Sequence, residues 1–161
     1  MIAEKIAYRP KWVISKFADD AAFAAGQAYA RHEIDGNLLL NEGIALMLDL
    51  LIGAGGTALS NANARLAVGD SATAEGAAQT GLQAATNKLY KAVEAGYPQR
   101  SGQTVTWRAV FGASDANFAW QEFSVANGAS DAAVNLNRKV SNQGTKASGQ
   151  TWTLDLQITL S

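Results

Sequence analysis

The C-terminal segment of the chain alternates between apolar and polar residues. Apolar side chains occupy every second position from Trp152 to Leu160, and Thr, Asp or Gln fills the positions between them. Successive side chains of a β-strand point to opposite faces of the sheet. The alternation therefore predicts a strand over 151–160 with one face in a core and the other in water.

Further strands are predicted upstream of this segment. Four stretches rich in β-branched and aromatic residues are each bounded by clusters of Gly, Asn, Asp or Ser, at 88–94, 104–111, 118–125 and 134–140. A shorter apolar stretch at 63–68 predicts another strand. The polar stretch 69–81 is too long for a hairpin turn and predicts a surface loop.

One segment has the period of a helix instead. Its apolar residues follow i, i+3, i+4, i+7 spacing: Ile44, Met47, Leu48 and Leu51. Asn41 is suited to cap the first turn and Gly53 to end the last one, which predicts a helix over 41–52. We expect the apolar stripe to be buried as a plug across an open end or face of a sheet, with a partner's groove as the alternative.

The N-terminal residues are more ambiguous. Residues 4–17 mix apolar side chains with four cations, and Pro10 marks an edge or a bend. Residues 19–35 are rich in alanine, which favours a helix, but Gly26 and two aromatic residues favour a strand or loop, and strand is the preferred interpretation. Residues 1–35 are therefore predicted to form an N-terminal arm or edge strands.

Together these elements predict an all-β fold with one short α-helix. Short strands separated by polar turns favour an antiparallel β-sandwich over alternating βαβ units. Jelly-roll-like, immunoglobulin-like and small-barrel strand orders all remain open. The sandwich domain is expected to span 36–161 and to contain the helix.

Composition narrows the classes of partner. The chain has 161 residues, 48% of them hydrophobic, and a formal net charge of −1, so no overall field would draw it to nucleic acid or to anionic lipid. The absence of cysteine excludes disulfides, thiolate metal sites and a cysteine nucleophile. No apolar run reaches the roughly 20 residues that a bilayer span needs. We expect a soluble protein without nucleic-acid or membrane partners.

Candidate catalytic and metal-binding patterns are weak. His32 is the only histidine, and no nucleophile motif accompanies it. The segment from Asp70 to Glu75 imitates an oxygen-ligand loop only loosely, without the twelve-residue calcium pattern. The glycines that begin at Gly53 follow a helix, whereas a phosphate-binding loop precedes one. We therefore predict no catalytic, cofactor-binding or metal-binding residues, and no enzymatic activity.

The tryptophans divide into two groups. Three lie within predicted strands and are expected in the core. The fourth lies in the basic N-terminal segment, where an aromatic residue among cations suits protein–protein contact. The predicted interface residues are Tyr8, Arg9, Lys11 and Trp12. The alternative is a plain edge strand whose lysines prevent aggregation.

Five segments resemble those of a known family. They are GNLLLNEGI from Gly36, NARLAVGDS from Asn63, ANFAWQEF from Ala116, NLNRKV from Asn135 and GTK from Gly144. In this order, and followed by the C-terminal strand, they resemble small proteins encoded among the head genes of tailed bacteriophages. Residues 1–35 lie outside the resemblance.

The resemblance implies a structural protein of the virion, in particular a capsid decoration (cement) protein. Such a protein would be made in the cytoplasm of the host bacterium, bind the outer capsid surface and bridge neighbouring copies of the major capsid protein. Self-association as a dimer or trimer on the capsid is expected, and no cofactor. The alternatives are a phage tail or tail-fibre module, and a carbohydrate-binding module that stacks sugars on exposed tryptophans.

Overall fold

The computed structural model describes residues 4–161, which fold into two antiparallel sheets of five strands each. The strands are β1 Tyr8–Phe17, β2 Ala30–Asp35, β3 Leu38–Leu39, β4 Arg65–Gly69, β5 Lys88–Ala92, β6 Gln99–Ser101, β7 Thr104–Phe111, β8 Glu122–Ala126, β9 Asn137–Val140 and β10 Thr151–Leu160. The helices are α1 Asp20–Ala24 and α2 Asn41–Ile52. The first sheet has the order β2-β1-β10-β7-β6 and the second β3-β9-β8-β4-β5. The predicted all-β sandwich with a short helix is confirmed.

The core lies between the two sheets and is rich in aromatic side chains. The alternation of β10 places Trp152, Leu154 and Leu156 inside, as the pattern predicts. Trp120 packs edge-on against Trp152, with ring centroids 5.0 Å apart, and against Phe111 at 4.8 Å. Because aromatic pairs favour such tilted contacts, this cluster joins the two sheets over a large buried area.

The prediction of an N-terminal arm or edge strand is wrong for residues 8–17. β1 lies in the interior of the first sheet, paired with β10 on one side and with β2 on the other. Trp12 is fully buried, and its ring centroid lies 5.9 Å from that of Phe123. The physical reason is that Trp12 and Ile14 alternate onto the core side, where their burial outweighs the solvation of an extended arm. Residues 1–3 of the predicted arm lie outside the described residues.

The alanine-rich segment contains both a helix and a strand. The side chain of Asp19 accepts a hydrogen bond from the Ala22 amide at 2.8 Å and caps α1. This local cap outweighs the weak strand preference over residues 20–24. β2 follows and forms an edge of the first sheet, so the strand preference holds only for the second half of the segment.

The loop after β4 is pinned to the outer face of the second sheet. Alternation along β8 turns Glu122 away from the core, where Arg138 Nε donates to its carboxylate at 2.7 Å. That carboxylate also accepts from the amides of Gln83 and Ala84, and Arg138 donates to the Thr73 carbonyl. The predicted surface loop is therefore a cover over one sheet. No helix within residues 4–161 has the length and apolar character needed to cross a membrane.

Candidate interaction surface

Helix α2 docks on the sandwich through a glycine. A Cβ atom at Gly43 would lie 2.2 Å from the carbonyl oxygen of Leu136, closer than any side chain tolerates. The absence of a side chain at this position therefore permits the close approach. Gly43 and Leu46 are the two buried residues of the helix, so the helix packs through the face that they share.

The apolar stripe predicted from the sequence points away from the protein. The exposed fraction is 41% for Ile44, 42% for Met47, 56% for Leu48 and 80% for Leu51, and the neighbouring Ile52 is 75% exposed. The expectation that the stripe forms a buried plug is therefore wrong. Periodicity shows only that these residues share a face, whereas the contact at the small residue Gly43 decides which face of α2 meets the sheets.

Leu160, at the end of β10, is also exposed and lies close to this helix, where it shares a groove with Met47. We use the term α2 patch for the six exposed apolar residues Ile44, Met47, Leu48, Leu51, Ile52 and Leu160. The carboxylates of Glu42 and Asp49 border a different depression, on the opposite side of the helix. The α2 patch is consequently free of the charged side chains of α2.

The groove shared by Met47 and Leu160 is apolar and about 220 Å³ in volume. Its other walls come from the first sheet and from three connecting segments: Val105, Trp107 and Ile158 lie in β7 and β10, and Leu59, Gln103 and Leu136 lie between strands. The indole N–H of Trp107 donates to the Leu59 carbonyl at 3.1 Å, so this polar atom is satisfied within the protein. The groove thus extends the apolar surface of the α2 patch into a concave site.

The residues predicted as an interface are separated by the fold. Arg9 is exposed on the outer face of the first sheet, and Lys11 lies beside it with its ammonium 3.2 Å from Glu33. The Tyr8 hydroxyl donates to Asn37 at 2.9 Å, and burial raises the pKa of Tyr8. Trp12 is in the core and cannot anchor a partner. The interface role of Arg9 and Lys11 stays a prediction.

The remaining candidate groups bind other parts of the chain. His32 Nδ1 lies 2.8 Å from the side-chain oxygen of Gln143, and Asp70 accepts from the side-chain amide of Asn87 at 2.7 Å. Glu75 accepts from the Val140 amide. Within residues 4–161, no three His, Cys, Asp or Glu side chains are grouped to hold a metal ion.

All four tryptophans are buried: Trp12, Trp107, Trp120 and Trp152. The protein therefore has no exposed tryptophan on which a carbohydrate-binding module could stack a sugar. Sugar stacking needs an accessible ring face. The burial of all four rings therefore argues against a carbohydrate-binding module that uses tryptophan.

A buried lysine lies at the turn that joins the sheets. The Lys146 ammonium donates to the Gly112 carbonyl and to the Asn117 side chain, both at 2.7 Å, and burial lowers its pKa. Burial raises the pKa of the nearby Asp115, but hydrogen bonds from Lys91 and the Gly112 amide outweigh this effect, together with the charges of Lys91 and Lys146. The pKa of Asp115 therefore lies below its usual value.

Gly43 was the one residue whose type could have indicated from the sequence which face of α2 packs on the sandwich and which is exposed. Glycine inside a helix costs about 1 kcal/mol relative to alanine, so its presence usually has a packing reason. Gly43 could have indicated which face of the helix docks. The groove residues, in contrast, come from distant parts of the chain and carry no common pattern.

Comparisons with protein-family models, with curated proteins and with solved structures find no match to this chain. The likeness to phage head proteins noted in the sequence stays a prediction.

Proposed function

We propose that the protein is a non-enzymatic structural component of a tailed-phage virion, which binds the outer capsid surface and bridges neighbouring major capsid subunits. The observation that carries the assembling role is the α2 patch, whereas the contact with the shell itself is assigned to a different face, the outer face of the first sheet. Monomeric proteins rarely expose contiguous apolar surfaces beyond a few hundred Å², and larger ones mark sites of assembly. The resemblance to phage head proteins supplies the place of assembly.

The scaffold beneath the patch suits an adhesive role. Helix α2 is held at its start by the Gly43 contact and by Glu42, which accepts from the Asn135 amide at 2.9 Å. A surface that is already ordered before contact loses little conformational entropy on binding. Many copies bound to one shell would together stabilise the shell against internal pressure, even if the contact of each copy is weak.

The shell contact is assigned to the outer face of the first sheet. Arg9 is exposed there, and Lys11 and Glu33 each retain 42% of their side-chain exposure. A polar face of this kind suits a rim that steers and orients the protein on a charged capsid surface. The assignment keeps Arg9 and Lys11 as contact residues and omits Trp12.

The test uses expanded capsids of the phage that encodes the protein, prepared without it. Purified protein is titrated onto the capsids, the capsids are pelleted, and bound copies per capsid are counted. We expect saturation at a copy number set by icosahedral symmetry. Absence of binding, or binding without saturation, would overturn the proposal.

A charge-reversed variant locates the contact in the same assay. The double substitution Arg9→Glu with Lys11→Glu should weaken capsid binding, because both side chains lie on the proposed shell face. Thr80→Glu, at an exposed position in the segment that covers the second sheet, is a control for added negative charge away from the proposed shell face. Deletion of residues 1–17 is unsuitable, because it removes the interior strand β1, which pairs with both β2 and β10.

A further inference from the structure

We infer that the α2 patch is the surface through which this chain associates with another copy of itself, so that the free protein is a closed homo-oligomer. The interface would form before any capsid contact and on a different part of the molecule. It goes beyond the proposed capsid binding, since it would hold for a virion protein at any location.

The size of the patch supports a second copy as its occupant. From their exposed fractions, the six side chains present on the order of 600 Å² of surface. A standard protein–protein interface buries about 800 Å² on each partner. The patch and the rim of the neighbouring groove together therefore approach what a stable dimer needs.

The shape of the region is also self-complementary. Leu51 and Ile52 project at the end of α2, whereas the groove beside Met47 is concave and apolar. In a symmetric dimer every contact occurs twice, so the projection of each copy can fill the hollow of the other. The helix end of each copy would enter the groove of its neighbour.

Charge favours the same occupant. The two carboxylates of α2 lie on the side of the helix opposite the patch, and α2 contains no basic residue. A second copy brings the same uncharged surface, so no charged group of α2 has to be desolvated. Apolar contacts of this kind form the centre of obligate homodimer interfaces.

The decisive experiment measures the molar mass of the full chain in solution over a range of concentrations, by sedimentation equilibrium. Leu51→Lys is the test variant, because Leu51 is largely exposed and a cation near a helix C-terminus is compatible with the helix dipole. Tyr29→Lys is the matched control, since Tyr29 is 54% exposed and its amide donates to Lys16, at the opposite end of the first sheet from Leu160. Circular dichroism checks that both variants keep the fold.

We expect an oligomer for the wild type and for Tyr29→Lys, and at least a roughly tenfold higher dissociation constant for Leu51→Lys. A monomeric wild type would overturn the inference. An oligomer that Leu51→Lys leaves intact would also overturn it, because the association would then use another surface.

Cross-linking tests the predicted pairing of helix end and groove. The chain has no cysteine, so single introduced thiols report without background. Leu51→Cys and Leu160→Cys proteins, mixed and treated with a short bis-maleimide, should give a heterotypic dimer. Tyr29→Cys mixed with Leu160→Cys should not. Equal cross-linking of both mixtures would contradict the proposed geometry.

Capsid pelleting separates the inference from the proposed function. If the wild type is monomeric and Leu51→Lys abolishes capsid binding, the α2 patch contacts the shell, and the self-association is wrong while capsid binding stands. If the wild type is an oligomer through the patch but does not bind capsids, the self-association stands and the proposed function fails.

Discussion

The outer faces of the two sheets each carry an arginine–carboxylate pair in different surroundings. Arg138 and Glu122 on the second sheet are fully buried beneath the segment that follows β4. On the first sheet, Arg108 donates to both oxygens of Asp155, at 2.8 and 2.5 Å, but its side chain is 43% exposed. The pair on the second sheet is covered completely, whereas on the first sheet Arg108 still reaches water, although the side chain of Asp155 retains only 9% of its exposure.

The difference shows that the contribution of an ion pair depends on what surrounds it. A buried pair has lost its hydration, so each partner depends on the other and on the hydrogen bonds around them. An exposed pair can exchange its partner for water at little cost. The covered pair therefore ties a long loop to the sheet, whereas the pair on the first sheet lies at a surface where Arg108 remains hydrated.

The largest expected effect comes from breaking the covered pair. Glu122→Ala should lower the free energy of unfolding by about 3–5 kcal/mol, because it leaves the Arg138 charge buried without its partner. It also removes the acceptor of the Gln83 and Ala84 amides. Urea denaturation measures the loss of unfolding free energy. A loss under about 1 kcal/mol would mean that the buried ion pair contributes no more than the pair on the first sheet.

The next effect concerns the contact that orients α2 beside the covered sheet. In an exposed helix, glycine to alanine stabilises by about 1 kcal/mol. Gly43→Ala should instead destabilise by about 1–3 kcal/mol, because the new Cβ collides with the Leu136 backbone. Ala45→Gly in the same helix is the control, with an expected loss of about 1 kcal/mol. Stabilisation by Gly43→Ala would show that the helix docks otherwise.

Breaking the half-exposed pair of Arg108 and Asp155 should have a small effect that salt reduces. We expect Asp155→Asn to lower the free energy of unfolding by about 1 kcal/mol or less, since Arg108 remains hydrated after the change. Thermal unfolding at low and high salt measures the difference. A loss as large as that of Glu122→Ala would mean that solvent exposure does not separate the two pairs.

The smallest effect is a pH dependence at Asp115. Its folded pKa lies below the unfolded value of about 3.9, so its ionisation stabilises the fold above pH ~4, and this contribution is lost as the pH falls through the folded pKa. The difference in stability between wild type and Asp115→Asn should be under about 1 kcal/mol at neutral pH and shrink in acid. A difference that grows on acidification would contradict the assignment.

Several elements followed from local pattern alone. The alternation over Thr151–Leu160 predicted that strand with its bounds, because a half-buried strand has to alternate. The strand Thr104–Phe111 was predicted with its bounds from its β-branched and aromatic residues and the turn residues on either side. The helix was predicted over its observed span, Asn41–Ile52, with Gly53 in the left-handed conformation at its end. Its start differs slightly, since the N-cap is Leu40, without a side-chain hydrogen bond.

The position of the N-terminal strand could not be predicted in this way. Residues 8–17 combine cations with apolar residues, which fits an exposed edge as well as an interior strand. Its place was decided by pairing with β10, more than a hundred residues away in sequence. Local composition contains no information about such a partner.

The sequence by itself therefore determined the class of fold, most strands and the existence of an apolar helix face. The tertiary structure alone decided that this face is exposed, that a groove lies beside it and that one sheet is covered. The physical reason is that periodicity reports which side chains share a face, whereas exposure depends on contacts between distant segments, such as Gly43 against Leu136.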